Sequence, residues 1–171
     1  MKHNAKIFAV SVLALTAFCF NAHAQSSGGP DSINAQFIMG ELQREGFIPK
    51  LDKDDDGEPR LTLKVDGYEW SIYFYSCAPG ANETRPCMSY QFYSGYTPVK
   101  PVPLATINKW NTDKRYARAY NYIQRDGKTS SRIEMDVVSE GTEANKSEVF
   151  LIFFKKMQEA TRDFRKLIGF N

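Results

Sequence analysis

The sequence predicts an α+β domain in which a mainly antiparallel, five-stranded sheet carries helices packed on one face. Two hairpin patterns and one helical pattern lead to this prediction. Asp66-Gly67 and Asp126-Gly127 each join two runs of alternating apolar residues, the strongest short-range pattern for a β-hairpin. Apolar residues from Phe150 onward recur instead at helical spacing. The predicted order is therefore α-β-β-β-α-β-β-α, and because hairpins dominate, the strands run antiparallel.

The first helix is predicted to begin near Ser32, with Asp31 or Ser32 as its N-cap, and to end at Gly46. An acidic segment follows, in which Asp52, Asp54 and Asp56 precede Gly57 and match the opening of a calcium-binding loop. The loop's twelfth position, which should be a bidentate glutamate, is Leu63. The segment is therefore predicted to be an acidic turn between helix and sheet, with a weak, partly hydrated cation site as the alternative.

Three strands are predicted over 60–65, 68–75 and 88–93, and two more over 116–125 and 132–138. Alternation places one set of side chains on the buried face of the first three strands: Leu61, Trp70, Ile72, Phe74, Met88 and Phe92. The corresponding set for the last two strands is Ala117, Ala119, Ile123, Ile133, Met135 and Val137. A proline-rich connector over 98–103 leads into a short helix, 104–111, whose inward residues are predicted to be Leu104, Ile107 and Trp110. A long helix that ends at Gly169 completes the domain.

The N-terminal residues 1–24 have the three-part pattern of a secretory signal peptide: a basic start, an apolar run over 7–20, and small residues at 22–24. The apolar run is shorter than the roughly 20 residues that a membrane span needs. We therefore predict cleavage after Ala24, a flexible leader over 25–31, and a single domain over 32–171. The expected location is the bacterial periplasm, or the medium beyond it.

Cleavage would change which functions the composition allows. Both histidines, His3 and His23, and two lysines would leave with the signal, so that 20 basic residues face 20 acidic ones in a mature chain of 147 residues. A net charge near zero does not favour nucleic acid or an anionic membrane as a partner. Without histidine, nucleophilic catalysis by Ser–His or Cys–His pairs and histidine-based zinc sites are excluded. Carboxylate pairs could still act as acid and base, but most acids lie in turns or alternate with bases on strands, as Arg132, Glu134 and Asp136 do, which is typical of a solvated strand face. The sequence therefore predicts a protein that is not an enzyme and needs no cofactor.

Two cysteines, Cys77 and Cys87, remain after cleavage, and an even pair in an exported chain predicts a disulfide bond. Strand alternation places both on the face opposite the core, so the two side chains can meet. The alternative, a redox-active pair, usually has Cys-X-X-Cys spacing, which this chain lacks.

A second consequence of alternation is a tyrosine-rich sheet face turned away from the helices. Tyrosine and arginine are enriched at sites where proteins bind each other. The sequence predicts that this face meets a protein partner or a second copy of the chain, while a self-packed aromatic face is the plainer interpretation. Its predicted members are Tyr73, Tyr75, Tyr93, Tyr116, Arg118, Tyr120 and Tyr122.

The polar corner after the short helix offers a weaker candidate site. The side-chain amides of Asn108 and Asn111 could hold a small ligand. The plainer interpretation is that Asn111 ends the helix and Asn108 bonds a neighbouring loop. Together with the acidic turn, these amides support the alternative function, a metal-sensing or small-ligand-sensing module.

Several short motifs, in the same order, resemble the YbjN-domain family. They are Ile-Asn-Lys-Trp-Asn at 107–111, Lys-Arg-Tyr-Ala-Arg-Ala-Tyr at 114–120 and Ile-Glu-Met-Asp at 133–136, with the Asp-Asp-Asp-Gly turn before them. The resemblance spans residues 32–168. The family is described as bacterial sensory transduction regulators and is similar in fold to type III secretion chaperones. The resemblance thus implies a small binding domain, with a dimer as one arrangement, and implies no catalytic residues.

Overall fold

The computed structural model describes residues 33–79, 84–139 and 145–170. The predicted signal peptide, 1–24, and leader, 25–31, lie outside the described residues. The described elements, in chain order, are α1 (Ala35–Arg44), β1 (Lys50–Lys53), β2 (Pro59–Val65), β3 (Tyr68–Cys77), β4 (Cys87–Tyr96), α2 (Leu104–Asp113), β5 (Arg118–Ile123), β6 (Thr129–Val138) and α3 (Lys146–Ile168). In these residues no helix is both long and apolar enough to cross a membrane.

The sheet has six strands in the order β1-β2-β3-β4-β6-β5, and every neighbouring pair is antiparallel. The α+β class and the helix and strand order are confirmed, but the predicted count of five strands is wrong by one. The missed strand is β1, whose sequence Lys-Leu-Asp-Lys carries a single apolar residue. Pairing with β2, rather than its own composition, makes this segment a strand.

All three helices contribute buried side chains to one core on the same side of the sheet, which we call the inner face. Aromatic rings form its centre: the Trp70 and Phe154 ring centroids lie 5.7 Å apart, and those of Phe92 and Phe150 lie 5.9 Å apart. Each such pair typically contributes about 0.5–1.5 kcal/mol beyond the burial of its surface. The opposite side of the sheet, the outer face, is where β-strand alternation directs the remaining side chains.

The start of α1 differs from the prediction, whereas its end agrees with it. Asn34 is the N-cap, and its Oδ1 accepts a 2.8 Å hydrogen bond from the Phe37 backbone N–H. The helix cannot begin earlier because Ile33 is bridged to Cys87, whose N–H donates to the Ile33 carbonyl. At the other end Gly46 takes a positive φ of 86°, as the sequence predicted.

Three residues predicted to be inward are exposed: Met88, Leu104 and Ile123. Leu104 is the first residue of α2 and Ile123 the last of β5, so neither is enclosed by neighbours. Met88 is 67% exposed for a different reason. Ser76, the residue that would lie opposite it, has a positive φ of 51°, which interrupts the β3–β4 pairing and exchanges the two faces at this end.

Candidate functional site

A disulfide bond joins Cys77 to Cys87, with an S–S distance of 2.07 Å. The bond was predicted, but its place was not. Cys87 is fully buried within the core, not on the outer face. The exchange of faces at Ser76 accounts for this difference. The bond thus closes the β3–β4 hairpin against the core and holds no position on the outer face.

The outer face carries most of the predicted tyrosine cluster. The strand register places Tyr73 beside Gln91 and Asp136 in one cross-strand row. It places Tyr93 beside Glu134, and Glu134 beside Arg118, in the next row. Alternation adds the remaining members to the same side: Tyr75, Tyr120 and Tyr122.

Tyr116 does not belong to this face. Its backbone has a positive φ of 72°, which turns the side chain out of the strand pattern. Its ring meets Phe153 of α3 edge to face, with centroids 6.1 Å apart. The prediction that Tyr116 shares a face with the other tyrosines is therefore wrong, because it precedes β5 and does not alternate with it.

A buried carboxylate holds the centre of the outer face together. Glu134 is only 6% exposed, although it lies on the side of the sheet without helices. It accepts hydrogen bonds from Arg118 and from the Tyr120 hydroxyl, the latter at 3.1 Å. Arg118 also reaches Asp136 at 3.3 Å. Removing Tyr120 would thus disturb a buried carboxylate as well as a surface.

The amide of Gln91 extends this network toward β3. The Tyr75 hydroxyl donates to Gln91 Oε1 at 3.3 Å, and Gln91 Nε2 donates to Asp136 at 2.7 Å. Burial raises the pKa of the Tyr93 hydroxyl to about 12, and burial likewise raises the pKa values of Tyr75 and Tyr120. These hydroxyls are therefore neutral near pH 7 and act as hydrogen-bonding groups, not as bases.

Arg132 is a member of this face that the sequence reasoning missed. Its guanidinium carbon lies 3.5 Å from the ring centroid of Tyr122 and 5.6 Å from that of Tyr93. Tyr73 meets Tyr93 edge to face at 5.8 Å. Alternation on β6 does put residues 132, 134 and 136 on one side, but it was interpreted as an ordinary solvated strand face.

The edges of the outer face remain open to solvent. Tyr75 is 40% exposed and Tyr122 is 42% exposed. Val138, which shares a cross-strand row with Tyr75 through Ser89, is also exposed. The face therefore has a self-packed polar centre and exposed aromatic and apolar margins.

The acidic turn uses its carboxylates within the fold. Arg60 donates to both carboxylate oxygens of Asp52 at 2.9 Å, which lowers the pKa of Asp52. Asp54 Oδ1 accepts from the backbone N–H groups of Asp56 and Glu58, at 3.0 and 2.8 Å. Across the described ranges, no three residues of the metal-ligating types come together in a way that could hold an ion. Cation binding here stays a prediction, which equilibrium calcium titration would test.

Asn111 has a clear structural partner, and it does not end the helix. It lies within α2, which continues to Asp113. Its amide pairs with both backbone groups of Ala119 on β5: Ala119 N–H donates to Oδ1 at 2.8 Å, and Nδ2 donates to the Ala119 carbonyl at 2.9 Å. Asn108 is exposed on the same helix.

The acidic turn and the asparagine corner lie at opposite edges of the sheet. The turn joins β1 to β2 at one edge, whereas Asn111 meets β5 at the other. They therefore cannot form a single ligand site. The predicted role of Asn108 and Asn111 as ligand-binding residues stays a prediction.

Comparisons with known proteins identify a similar fold. No family model and no curated protein sequence matches the chain. Among solved structures, YbjN from E. coli, described as a candidate transcription regulator, aligns with a TM-score of 0.55 at 16% identity, over 78% of this chain and 86% of that one. An uncharacterized protein from Methanothermobacter thermautotrophicus aligns with a TM-score of 0.52 at 11% identity, over 78% of this chain and 95% of that one. The described arrangement of helices around the antiparallel sheet is therefore a YbjN-like fold.

Proposed function

We propose that this protein is an exported, non-enzymatic binding domain of the bacterial periplasm that meets a partner protein through its outer face. The observation that carries the proposal is that the two sides of the sheet differ in what covers them. All three described helices pack into the core on the inner face. The outer face nevertheless carries five tyrosines at alternating strand positions, on the side of the sheet that no described helix covers.

The side chains of this face suit recognition of protein. Tyrosine offers a large, rigid, partly apolar surface and one hydroxyl, which is why it is enriched where proteins bind each other. The hydrogen bonds to Gln91 and Glu134 hold two of the rings, those of Tyr75 and Tyr120, before any partner arrives. Ordering beforehand lowers the entropic cost of binding.

The same contacts do not favour catalysis. The acids of the outer face are held by Arg118, Gln91 and Tyr120, and the tyrosine hydroxyls have raised pKa values. Raised pKa values make the hydroxyls of Tyr75, Tyr93 and Tyr120 poor general bases near neutral pH. Export is supported by the signal-like N-terminus of the sequence and by the disulfide bond, which persists in oxidising compartments.

Photocrosslinking in the native envelope tests the proposal. A photoreactive phenylalanine analogue replaces Tyr75, which is exposed at the margin of the face. Irradiated cells should yield a defined adduct, to be identified by mass spectrometry. The same analogue at Tyr116, which contacts α3 and is more exposed than Tyr75, is the control and should not give that adduct.

A paired substitution measures the contribution of the face. Tyr75→Ser combined with Tyr122→Ser removes the two most exposed rings of the outer face and spares the bonds to Glu134. We expect this variant to keep its melting temperature within a few degrees and to lose its adduct or its self-association. Tyr116→Ser should change neither. If the double variant keeps its partners and its oligomeric state, the outer face is not an interface and the proposal fails.

A further inference from the structure

Arg132 is distinguished from the other outer-face arginines by its lack of a carboxylate partner. Arg60 is paired with Asp52, and Arg118 is shared by Glu134 and Asp136. The described residues place no carboxylate within ion-pair distance of Arg132, and its Nε is buried without an acceptor. The neutral hydroxyl of Tyr120 is its polar neighbour. A guanidinium has five donors, so most of its hydrogen-bonding capacity remains open.

Tyrosine rings from the two neighbouring strands form a cradle around the guanidinium of Arg132. Tyr122 lies against it at 3.5 Å, and Tyr93 lies at 5.6 Å on another side. Gly95 pairs directly with Arg132 across β4 and β6. A Cβ atom at Gly95 would stand 3.2 Å from the Tyr93 hydroxyl oxygen and 3.8 Å from Arg132 Cγ. The Tyr93 side chain thus lies over Gly95, in the space that a larger side chain would need, and this lets the ring approach the guanidinium.

The same chain contains a related arrangement that includes an acid, and there too the arginine Nε, that of Arg165, is buried without an acceptor. Arg165 also stacks on a tyrosine, with its guanidinium 3.9 Å from the Tyr68 ring centroid. In that case a carboxylate, Asp66, lies 3.6 Å from the guanidinium. Arg132 likewise stacks on a tyrosine, Tyr122, but no described carboxylate pairs with it.

We propose that Arg132, cradled by Tyr93, Tyr122 and Gly95, is the subsite where the outer face takes a single acidic side chain of the partner protein. The inference rests on the proposed function and specifies the chemistry of the partner. A planar guanidinium held by aromatic rings matches the two oxygens of a carboxylate. Glu134 and Asp136 follow on the same strand and would repel a polyanion, so an isolated acid fits better than a nucleic acid.

A titration followed by nuclear magnetic resonance tests this subsite directly. The probes are a short blocked peptide with one glutamate among threonine, valine and glycine, and its twin with glutamine. The glutamate peptide should shift the arginine Nε–H signal of Arg132 and the ring signals of Tyr122, and should bind about three- to tenfold more tightly than the glutamine peptide. This readout on the unmodified protein does not depend on any variant folding.

Two variants with a matched control sharpen the result. Arg132→Gln should abolish the preference for glutamate, and Arg132→Lys should retain only part of it, because lysine keeps the charge but not the stacked plane. Arg165→Gln removes an equal charge from a stacked arginine elsewhere and should leave the preference intact. Equal binding of the two peptides to the unmodified protein, or a preference that survives Arg132→Gln, would overturn the inference.

The two proposals can fail separately. If crosslinking at Tyr75 finds a partner but the peptides bind equally, the face is an interface and the acidic subsite is wrong. If the glutamate preference is present but crosslinking at Tyr75 gives no adduct, Arg132 binds carboxylates, and the proposed function fails together with the assignment of that carboxylate to a partner protein.

Discussion

Asn111→Ala should destabilise the domain by opening the outermost strand of the sheet. β5 is the last strand in the sheet order, so one side of its backbone has no neighbouring strand among the residues that the structure describes. Asn111 replaces that neighbour at Ala119, where its amide bonds to both the N–H and the carbonyl. Ala119 is only 3% exposed, so water cannot easily take the place of the amide.

The expected size of the effect follows from these two bonds. Each typically contributes about 0.5–1.5 kcal/mol net, so their loss should cost about 1–3 kcal/mol. Alanine is the better helix former and returns up to about 0.7 kcal/mol. Asn108→Ala, on the same helix and exposed, makes the same chemical change without breaking such a pair. The difference between the two variants therefore isolates the contribution of the bonds to Ala119.

Urea and thermal unfolding of the mature chain provide the measurement. For a domain of this size, 1 kcal/mol corresponds to about 2–4 °C in melting temperature. Asn111→Ala should melt several degrees below the parent protein, and Asn108→Ala at or slightly above it. Equal melting temperatures for the two variants would refute the reasoning that Asn111 serves the edge of β5.

Four further predictions concern packing, covalent structure, pH and export. Trp110→Ala should lower the free energy of unfolding by about 3–5 kcal/mol, because the indole is buried and donates to the Ala117 carbonyl just before β5; an unchanged urea midpoint would contradict this. Intact mass should rise by two hydrogens on reduction of the Cys77–Cys87 bond, and two free thiols in protein from the periplasm would be the opposing result. Asp52→Asn should lower the melting temperature at neutral pH and not in strong acid. The hydrogen bond from Arg60 lowers the pKa of the Asp52 carboxyl in the folded protein. The stabilisation is therefore present above the carboxyl's pKa in the unfolded chain, and it is lost as the pH falls through the lower pKa of the folded protein. Edman or mass analysis of the exported protein should find cleavage after Ala24, and an intact N-terminus in the periplasm would contradict the signal-peptide prediction.

Features that depend on nearby residues were predictable from the sequence. The Asp-Gly hairpins, the helix ends at Gly46 and Gly169, and the apolar stripe of α3 all follow from preferences that act within one or two turns of chain. The disulfide was predicted from the even number of cysteines left after signal cleavage and from the oxidising compartment expected for an exported chain. These local patterns, placed in order, were sufficient to predict an α+β domain with helices on one side.

Errors arose where a distant segment determines the outcome. The Lys-Leu-Asp-Lys sequence of β1 has no strand pattern and becomes a strand by pairing with β2. Met88 follows the alternation in sequence, but the backbone of Ser76 on the neighbouring strand reverses its direction. Tyr116 looked like part of β5 and instead packs against α3.

The candidate site shows the same division. The alternation of side chains along each strand, which the sequence determines by itself, places most of the tyrosines on one side of the sheet. Only the strand order, with β6 inserted between β4 and β5, decided which charges meet across it. It brings Arg118 to Glu134 and leaves Arg132 between two tyrosine rings without an acid. The physical reason is that alternation is a property of each strand, whereas the pairing of charges depends on neighbours that are distant in the sequence.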